Sequence, residues 1–134
     1  MFPDNFKNRR GAITKKILVI DDDPLVQEMI VEVLDVEGYE AVASLNFEDA
    51  LQKARQTLPD LFLIDVVMPD ISGFDACRKI KKIFRPHPPP VLLMTGNLKA
   101  VDPLYALKMG ADDFVVKASD MAVLIQAVRK ILSL

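Results

Sequence analysis

The sequence contains few of the residues that build metal clusters, disulfides or nucleophile–histidine pairs. Its one cysteine, Cys77, excludes an internal disulfide and any cysteine-cluster metal site. Its one histidine, His87, excludes zinc sites made from several histidines and disfavours Ser-His-Asp catalysis within one chain. No apolar run approaches the ~18–20 residues of a membrane span, and the first residues are not the basic lead and apolar stretch of a secretory signal. We therefore expect a cytoplasmic domain without membrane contact.

Composition and charge indicate a globular chain of one domain. The 134 residues are 51% apolar and 27% charged, which fits a single hydrophobic core. Residues 1–16 hold five basic residues and one acidic residue, a net charge of +4, whereas the remainder has a net charge of −6. An acidic body disfavours nucleic-acid binding, which depends on neutralising phosphates. We predict a flexible basic arm over residues 1–14 and one domain over residues 15–134, with contact between the arm and an anionic partner as the alternative.

After residue 16, short apolar runs alternate with helical patterns. Each run is continuous, as expected for a strand that is buried on both faces of a sheet. Asp23-Pro24 and Asn46 are typical helix starts, because their side chains cap exposed N–H groups and proline suits the first turn. The predicted strands cover residues 17–20, 41–43, 61–64, 91–94 and 114–116. The predicted helices run from Pro24 to Gly38, from Asn46 to Pro59, from Gly73 to Phe84, from Asp102 to Gly110 and over residues 121–132.

Strand–helix units of this kind predict a parallel sheet with helices on both faces. Each right-handed crossover places its helix on one face of the sheet, so successive units cover both faces. The predicted fold class is therefore α/β, with a doubly wound, three-layer arrangement around five parallel strands. In such sheets, ligands bind outside the carboxyl ends of the strands.

Polar residues stand at that edge of the predicted sheet. Asp21 and Asp22 follow the first strand, Asp65 the third, and Thr95 and Lys117 the fourth and fifth. Each one alone could be an ordinary polar strand end, and their shared location is what favours a site. Carboxylates close together repel one another unless a cation compensates them. Hard oxygen donors suit Mg²⁺, and the ammonium group of Lys117 is a second source of positive charge.

Four segments of the sequence resemble the response-regulator receiver domain, and the resemblance covers about residues 15–133. They occur in the order and at the spacing of that family. The segments are Ile17–Pro24, Leu63–Asp70, Met94–Gly96 and Gly110–Lys117. The resemblance implies a flavodoxin-like sheet with strand order 2-1-3-4-5, and a role in two-component phosphorelay signal transduction.

The resemblance also implies a role for the residues at the strand ends. Asp65 corresponds to the aspartate that accepts a phosphoryl group from a histidine on a kinase or a phosphotransfer protein. Asp21 and Asp22 correspond to the acidic pair that holds Mg²⁺, with Asp65 and the backbone carbonyl of Val67 as further ligands. Lys117 corresponds to the lysine that contacts the acceptor or its phosphoryl oxygens.

The same family includes a conformational switch. Thr95 corresponds to the hydroxyl that turns toward the phosphoryl group, and Phe114 to the aromatic residue that changes orientation with it. The implied readout surface consists of the fourth helix, the fifth strand and the fifth helix, where a downstream protein or a second copy of the chain would bind. The resemblance implies that the chain is not a conventional enzyme but supports its own phosphorylation and dephosphorylation.

Alternatives remain open at this point. A degenerate receiver, which binds partners without phosphorylation, is favoured by one departure from the family: Ala118 follows Lys117 where proline is usual, so we expect a trans peptide bond there. A phosphatase with an aspartyl nucleophile needs a second carboxylate two residues further on, where this sequence has Val67. Whether the sequence stands alone or belongs to a hybrid kinase or a larger regulator is open as well.

Overall fold

The computed structural model describes residues 14–96, 102–117 and 120–133, and five strands alternate with five helices within these ranges. The strands are β1 Lys16–Ile20, β2 Glu40–Ser44, β3 Leu61–Asp65, β4 Val91–Thr95 and β5 Asp113–Val116. The helices are α1 Pro24–Val36, α2 Phe47–Thr57, α3 Gly73–Ile83, α4 Pro103–Lys108 and α5 Ala122–Leu132. The predicted alternation is confirmed. The predicted arm, apart from Thr14, and the predicted trans bond at Ala118 lie outside the described residues. None of the helices in these ranges has the length and apolar character that crossing a bilayer requires.

The five strands form one parallel sheet in the order β2-β1-β3-β4-β5, which confirms the predicted topology. The strand order reverses direction beside β1, because β2 lies on one side of it and β3 on the other. The register pairs Ile20 with both Ser44 and Ile64, so β1 and β2 end level with one another and β3 extends one residue further, to Asp65. A crevice at the carboxyl edge, between the loops that follow β1 and β3, is where such a topology binds ligands.

Short-range hydrogen bonds define the helix starts. The side chains of Asp23, Asn46, Ser72 and Asp102 accept backbone N–H groups in the first turns of α1, α2, α3 and α4, at distances between 2.8 and 3.1 Å. Each such cap contributes about 1 kcal/mol. The caps at Asp23 and Asn46 confirm the predicted helix starts.

The core consists of two apolar clusters, one on each face of the sheet. α2, α3 and α4 pack on one face, where Leu18, Phe62 and Cys77 are buried. α1 and α5 pack on the other face, where Val19 and Leu63 are buried. Burial of a large aliphatic or aromatic side chain contributes about 1.5–3 kcal/mol. Both faces are therefore covered, and the predicted three-layer architecture is confirmed.

Candidate functional site

Four of the residues predicted from sequence lie together at the carboxyl edge of the sheet. Asp21 directly follows β1, Asp65 ends β3, Thr95 ends β4 and Lys117 directly follows β5. Asp21, Asp65 and Thr95 are buried, with exposed fractions of 0%, 5% and 3%. Burial of two carboxylates at one edge is costly unless they are paired or hydrogen-bonded.

Lys117 bridges the two buried carboxylates. Its Nζ lies 2.9 Å from Asp21 Oδ2 and 3.0 Å from Asp65 Oδ2. β4 separates β5 from β3, so the lysine side chain extends across the end of β4 to reach both groups. Because water screens buried charges little, a cation at this place compensates much of the repulsion between the carboxylates.

Burial and neighbouring charges shift two pKa values at this centre. Desolvation raises the pKa of Asp65 above its ordinary value of 3.8 and the Asp21 carboxylate adds to the rise, whereas Lys117 and the Val67 N–H oppose it. Burial by itself lowers the pKa of Lys117, but hydrogen bonds and charge interactions with the two carboxylates outweigh burial, so this pKa is raised from 10.5. Lys117 is therefore charged at neutral pH, and burial makes the ionised form of Asp65 less favourable than it would be in water.

One backbone N–H group holds each buried carboxylate on the side away from Lys117. The Asp23 N–H donates to Asp21 Oδ1 at 2.9 Å, and the Val67 N–H donates to Asp65 Oδ1 at 3.2 Å. In each carboxylate, one oxygen therefore accepts a hydrogen bond from a backbone N–H and the other accepts one from Lys117, and the two bonds fix its orientation. Val67 contacts Asp65 through this N–H, whereas a bond between a metal ion and the Val67 carbonyl stays a prediction.

The carboxylates also form a group that could hold a metal ion. Asp21, Asp22 and Asp65 each offer an oxygen, and these oxygens lie within 4.8 Å of one another. Asp22 is exposed whereas the other two are buried, so the group is open to solvent on one side. Hard oxygen donors with an open side fit Mg²⁺, which takes one or two protein carboxylates and keeps several waters.

Thr95 and Phe114 lie on the two neighbouring strands at the other end of the site. The register pairs Leu93 with Phe114 and Thr95 with Val116. Because side chains alternate along a strand, Thr95 and Phe114 belong to the face on which Leu93 is buried under α3 and α4. The Thr95 carbonyl accepts the Lys117 N–H at 2.7 Å, and Phe114 packs half-buried against that cluster. Movement of Thr95 would therefore displace the backbone of Lys117 and change the packing on the face that holds Phe114.

Two residues behind the carboxylates are missed by reasoning from sequence. Gln27 is buried on α1, and its Nε2 donates to backbone carbonyls at the ends of β1 and β2. Gly73 packs so closely on β3 that a Cβ there would lie 2.4 Å from the Asp65 carbonyl oxygen. The sequence signals are a glutamine among apolar helix positions and a glycine at a helix start, and both are common elsewhere.

Comparisons with known proteins bear on the identity of this site. A family model described as the response regulator receiver domain matches residues 17–129. The chain is 35% identical over 118 residues to the DNA-binding response regulator MtrA of Mycolicibacterium smegmatis, an alignment that covers 88% of this chain and 50% of MtrA. It is 30% identical over 118 residues to protein PilH of Pseudomonas aeruginosa, covering 88% of this chain and 98% of PilH. The chain thus spans about half the length of MtrA and of several other curated relatives.

Solved structures agree with the match to the family. The response regulator TrrA of Thermotoga maritima, solved in complex with Mg²⁺-BeF, has a TM-score of 0.79 with this chain at 34% identity. The superposition covers 89% of this chain and 100% of the TrrA chain. The family match extends over most of the chain and includes β1 from Ile17 onward, the other four strands in full and the three carboxylates. The chain therefore belongs to the response regulator receiver domain family.

Proposed function

We propose that this chain is a phosphorylation-dependent signalling switch in which Asp65 accepts a phosphoryl group from a phosphohistidine of a histidine kinase or a histidine phosphotransfer protein. The main support is the bridge that Lys117 forms between Asp21 and Asp65, with Asp22 beside them at the open side of the crevice. Phosphoryl transfer depends on positioning and on compensation of charge, and this arrangement provides both.

Asp65 acts as the nucleophile in the proposed reaction. One of its carboxylate oxygens forms the new O–P bond while the N–P bond of the phosphohistidine breaks, and the imidazole leaves with that electron pair. The carboxyl group must be ionised to attack, and the Lys117 ammonium favours the ionised form against the effect of burial. Lys117, which already contacts Asp65 Oδ2, then compensates charge on the transferred phosphoryl oxygens.

The carboxylates of Asp21, Asp22 and Asp65 and the backbone carbonyl of Val67 would hold Mg²⁺. When bound, this ion supplies further positive charge to the phosphoryl oxygens. Asp21 and Asp65 keep their bonds to backbone N–H groups in this proposal, so the chain itself orients them.

We infer that phosphorylation is read out on the surface formed by α4, β5 and α5. A dianionic phosphoryl group offers the Thr95 hydroxyl a strong acceptor, and inward movement of Thr95 leaves space that Phe114 fills. The surface exposes large apolar side chains of the kind that protein partners cover. They are Leu104 at 75% exposure, Leu107 at 62% and Val123 at 54%. A downstream protein or a second copy of the chain would bind there.

The proposal extends to organisation and location. Residues 15–134 would be the receiver domain, residues 1–14 a basic arm, and the protein would work in the cytoplasm without membrane contact. MtrA is named as a DNA-binding regulator, and half of its length lies outside the match. We propose that the acidic receiver domain makes no direct contact with nucleic acid, and this part stays a prediction.

The alternatives are not favoured. Val67 stands where a phosphatase of the aspartyl-nucleophile class needs a carboxylate as acid or base. A degenerate receiver would have no need for a lysine that bridges two buried carboxylates at such cost in desolvation.

Mass spectrometry tests the acceptor. The protein is incubated with Mg²⁺ and acetyl phosphate or a phosphohistidine donor, and wild type is compared with Asp65→Asn. Asp35→Asn, at an exposed position on α1, is the matched control. Wild type and D35N should gain the mass of one phosphoryl group, and D65N should not. Equal gain in D65N would show that Asp65 is not the acceptor.

A further inference from the structure

We propose that Gln27 is a positioning residue that fixes Asp21 for metal binding and phosphoryl transfer, an inference that rests on the proposed function of Asp21. Gln27 lies near the start of α1 and is 7% exposed. A buried amide costs free energy unless its N–H groups are hydrogen-bonded. The role of Gln27 is therefore defined by the groups to which it donates.

The Gln27 amide ties together the carboxyl ends of two neighbouring strands. Its Nε2 donates to the carbonyl oxygen of Ser44, the last residue of β2, and lies 3.3 Å from the carbonyl oxygen of Asp21 and 3.4 Å from that of Val19. The Ser44 carbonyl also accepts the Asp21 N–H at 3.1 Å. Ser44 and Gln27 therefore hold the backbone of Asp21 at its N–H and at its C=O.

The position of the Asp21 backbone decides where its carboxylate lies. The Asp21 side chain is fully buried; its Oδ2 pairs with Lys117 and its Oδ1 accepts the Asp23 N–H. These contacts leave the side chain little freedom to move independently of its backbone. A shift of the backbone would displace the carboxylate from Lys117 and from Asp65. Among the described residues, no hydrogen bond joins the Gln27 side chain to Lys117 or to Asp65, so it acts through Asp21. Residues that orient metal ligands in this way typically change metal affinity about 10–100-fold when they are replaced.

Gln27→Met tests the proposal, because methionine keeps an unbranched side chain of similar length and removes both N–H donors. Gln56→Met makes the same change at an exposed position on α2 and is the matched control. The Mg²⁺ dissociation constant is measured by calorimetric titration, and hydrogen exchange of the Asp21 amide is compared, without metal, with that of the Ile64 amide in β3. Q27M should weaken Mg²⁺ binding about 10-fold or more and accelerate exchange at Asp21 selectively. Q56M should change neither quantity.

Two results would overturn the positioning role. The first is a Mg²⁺ affinity of Q27M equal to that of wild type. The second is hydrogen exchange at Asp21 that accelerates no more than exchange at Ile64, because a general loss of stability would accelerate both equally. If the wild-type protein binds no Mg²⁺, the proposed metal site fails, and the ratio of the two exchange rates alone then supports or overturns the role of Gln27. Gln27→Asn is the second variant if Q27M does not fold, since it keeps a polar group but is too short to reach both strands.

Discussion

Replacement of Gly73 by alanine is expected to displace the backbone that holds the proposed phosphoacceptor. A Cβ at this position would lie 2.4 Å from the carbonyl oxygen of Asp65 and 2.7 Å from the Cα of Val66. Both are backbone atoms, so no side-chain rotation relieves the contact, and either α3 or the segment after β3 must move. The Gly73 N–H also donates to the Val66 carbonyl at 2.8 Å, and this hydrogen bond would be strained by the movement.

The magnitude follows from three contributions to the free energy of unfolding. Overpacking against rigid neighbours costs about 1–3 kcal/mol, and weakening the hydrogen bond costs about 0.5–1.5 kcal/mol. Loss of glycine's freedom in the unfolded chain contributes about 0.4–1 kcal/mol in the opposite direction. The net expectation for Gly73→Ala is a loss of about 1–4 kcal/mol, or a fall in Tm of about 3–14 °C for a domain of this size.

Thermal melts and the rate of phosphorylation by acetyl phosphate measure the two effects. Gly96→Ala is the control for stability, because among the described residues a Cβ at Gly96 meets no atom within 4 Å. G73A should lower both the Tm and the phosphorylation rate, whereas G96A should leave the free energy of unfolding within about 0.5 kcal/mol of wild type. A G73A protein with wild-type Tm and wild-type phosphorylation would refute the argument that α3 packs against the backbone of Asp65.

Further predictions concern charge and the switch. Asp22→Asn should stabilise the metal-free protein, because it removes one of three neighbouring carboxylates, and should reduce the Mg²⁺-dependent rise in Tm; an unchanged rise would remove Asp22 from the site. Lys117→Met leaves a fully buried carboxylate without its cation, so urea melts should show a loss of about 3–5 kcal/mol in the metal-free state, and a loss below about 1 kcal/mol would contradict the importance of the bridge. Hydrogen bonds from a hydroxyl and an ammonium group hold the pKa of Asp49 below its ordinary 3.8. The ionised Asp49 carboxylate therefore stabilises the fold above pH 3.8, and this contribution is lost as the pH falls through the folded-state pKa. Asp49→Asn should be less stable than wild type at neutral pH and equal to it in strong acid. A difference in stability that does not depend on pH would contradict the role of these hydrogen bonds. Beryllofluoride should change amide exchange within residues 96–120, and changes confined to the loops around Asp21 and Asp65 would contradict the proposed readout surface.

The sequence by itself determined where the helices begin. Asp23 beside Pro24, and Asn46, are side-chain caps in the structure as predicted. A cap joins groups only two or three residues apart, so no distant contact is needed to decide it. Strand limits are less local: β2 begins at Glu40, one residue earlier than predicted, and the Glu40 N–H donates to the Lys15 carbonyl of the neighbouring strand segment.

The candidate site was also predictable from the sequence in outline. Alternation of strands and helices puts all strand ends at one edge, and this is sufficient to bring Asp21, Asp65, Thr95 and Lys117 to the same region. The order of the strands is different in kind. Periodicity does not specify which strands pair. The order 2-1-3-4-5 is implied by resemblance to the family, and the hydrogen-bonded register confirms it.

Only the tertiary structure decided the contacts that hold the site in place. Lys117 bonds to Asp21 and Asp65, which are 96 and 52 residues away in the sequence. Gln27 reaches the end of β2, and Gly73 packs against the backbone of β3. These distances depend on how strands pair and on how closely helices pack on the sheet. No local preference of a glutamine, a glycine or a lysine encodes them, because each contact exists only once distant parts of the chain have come together.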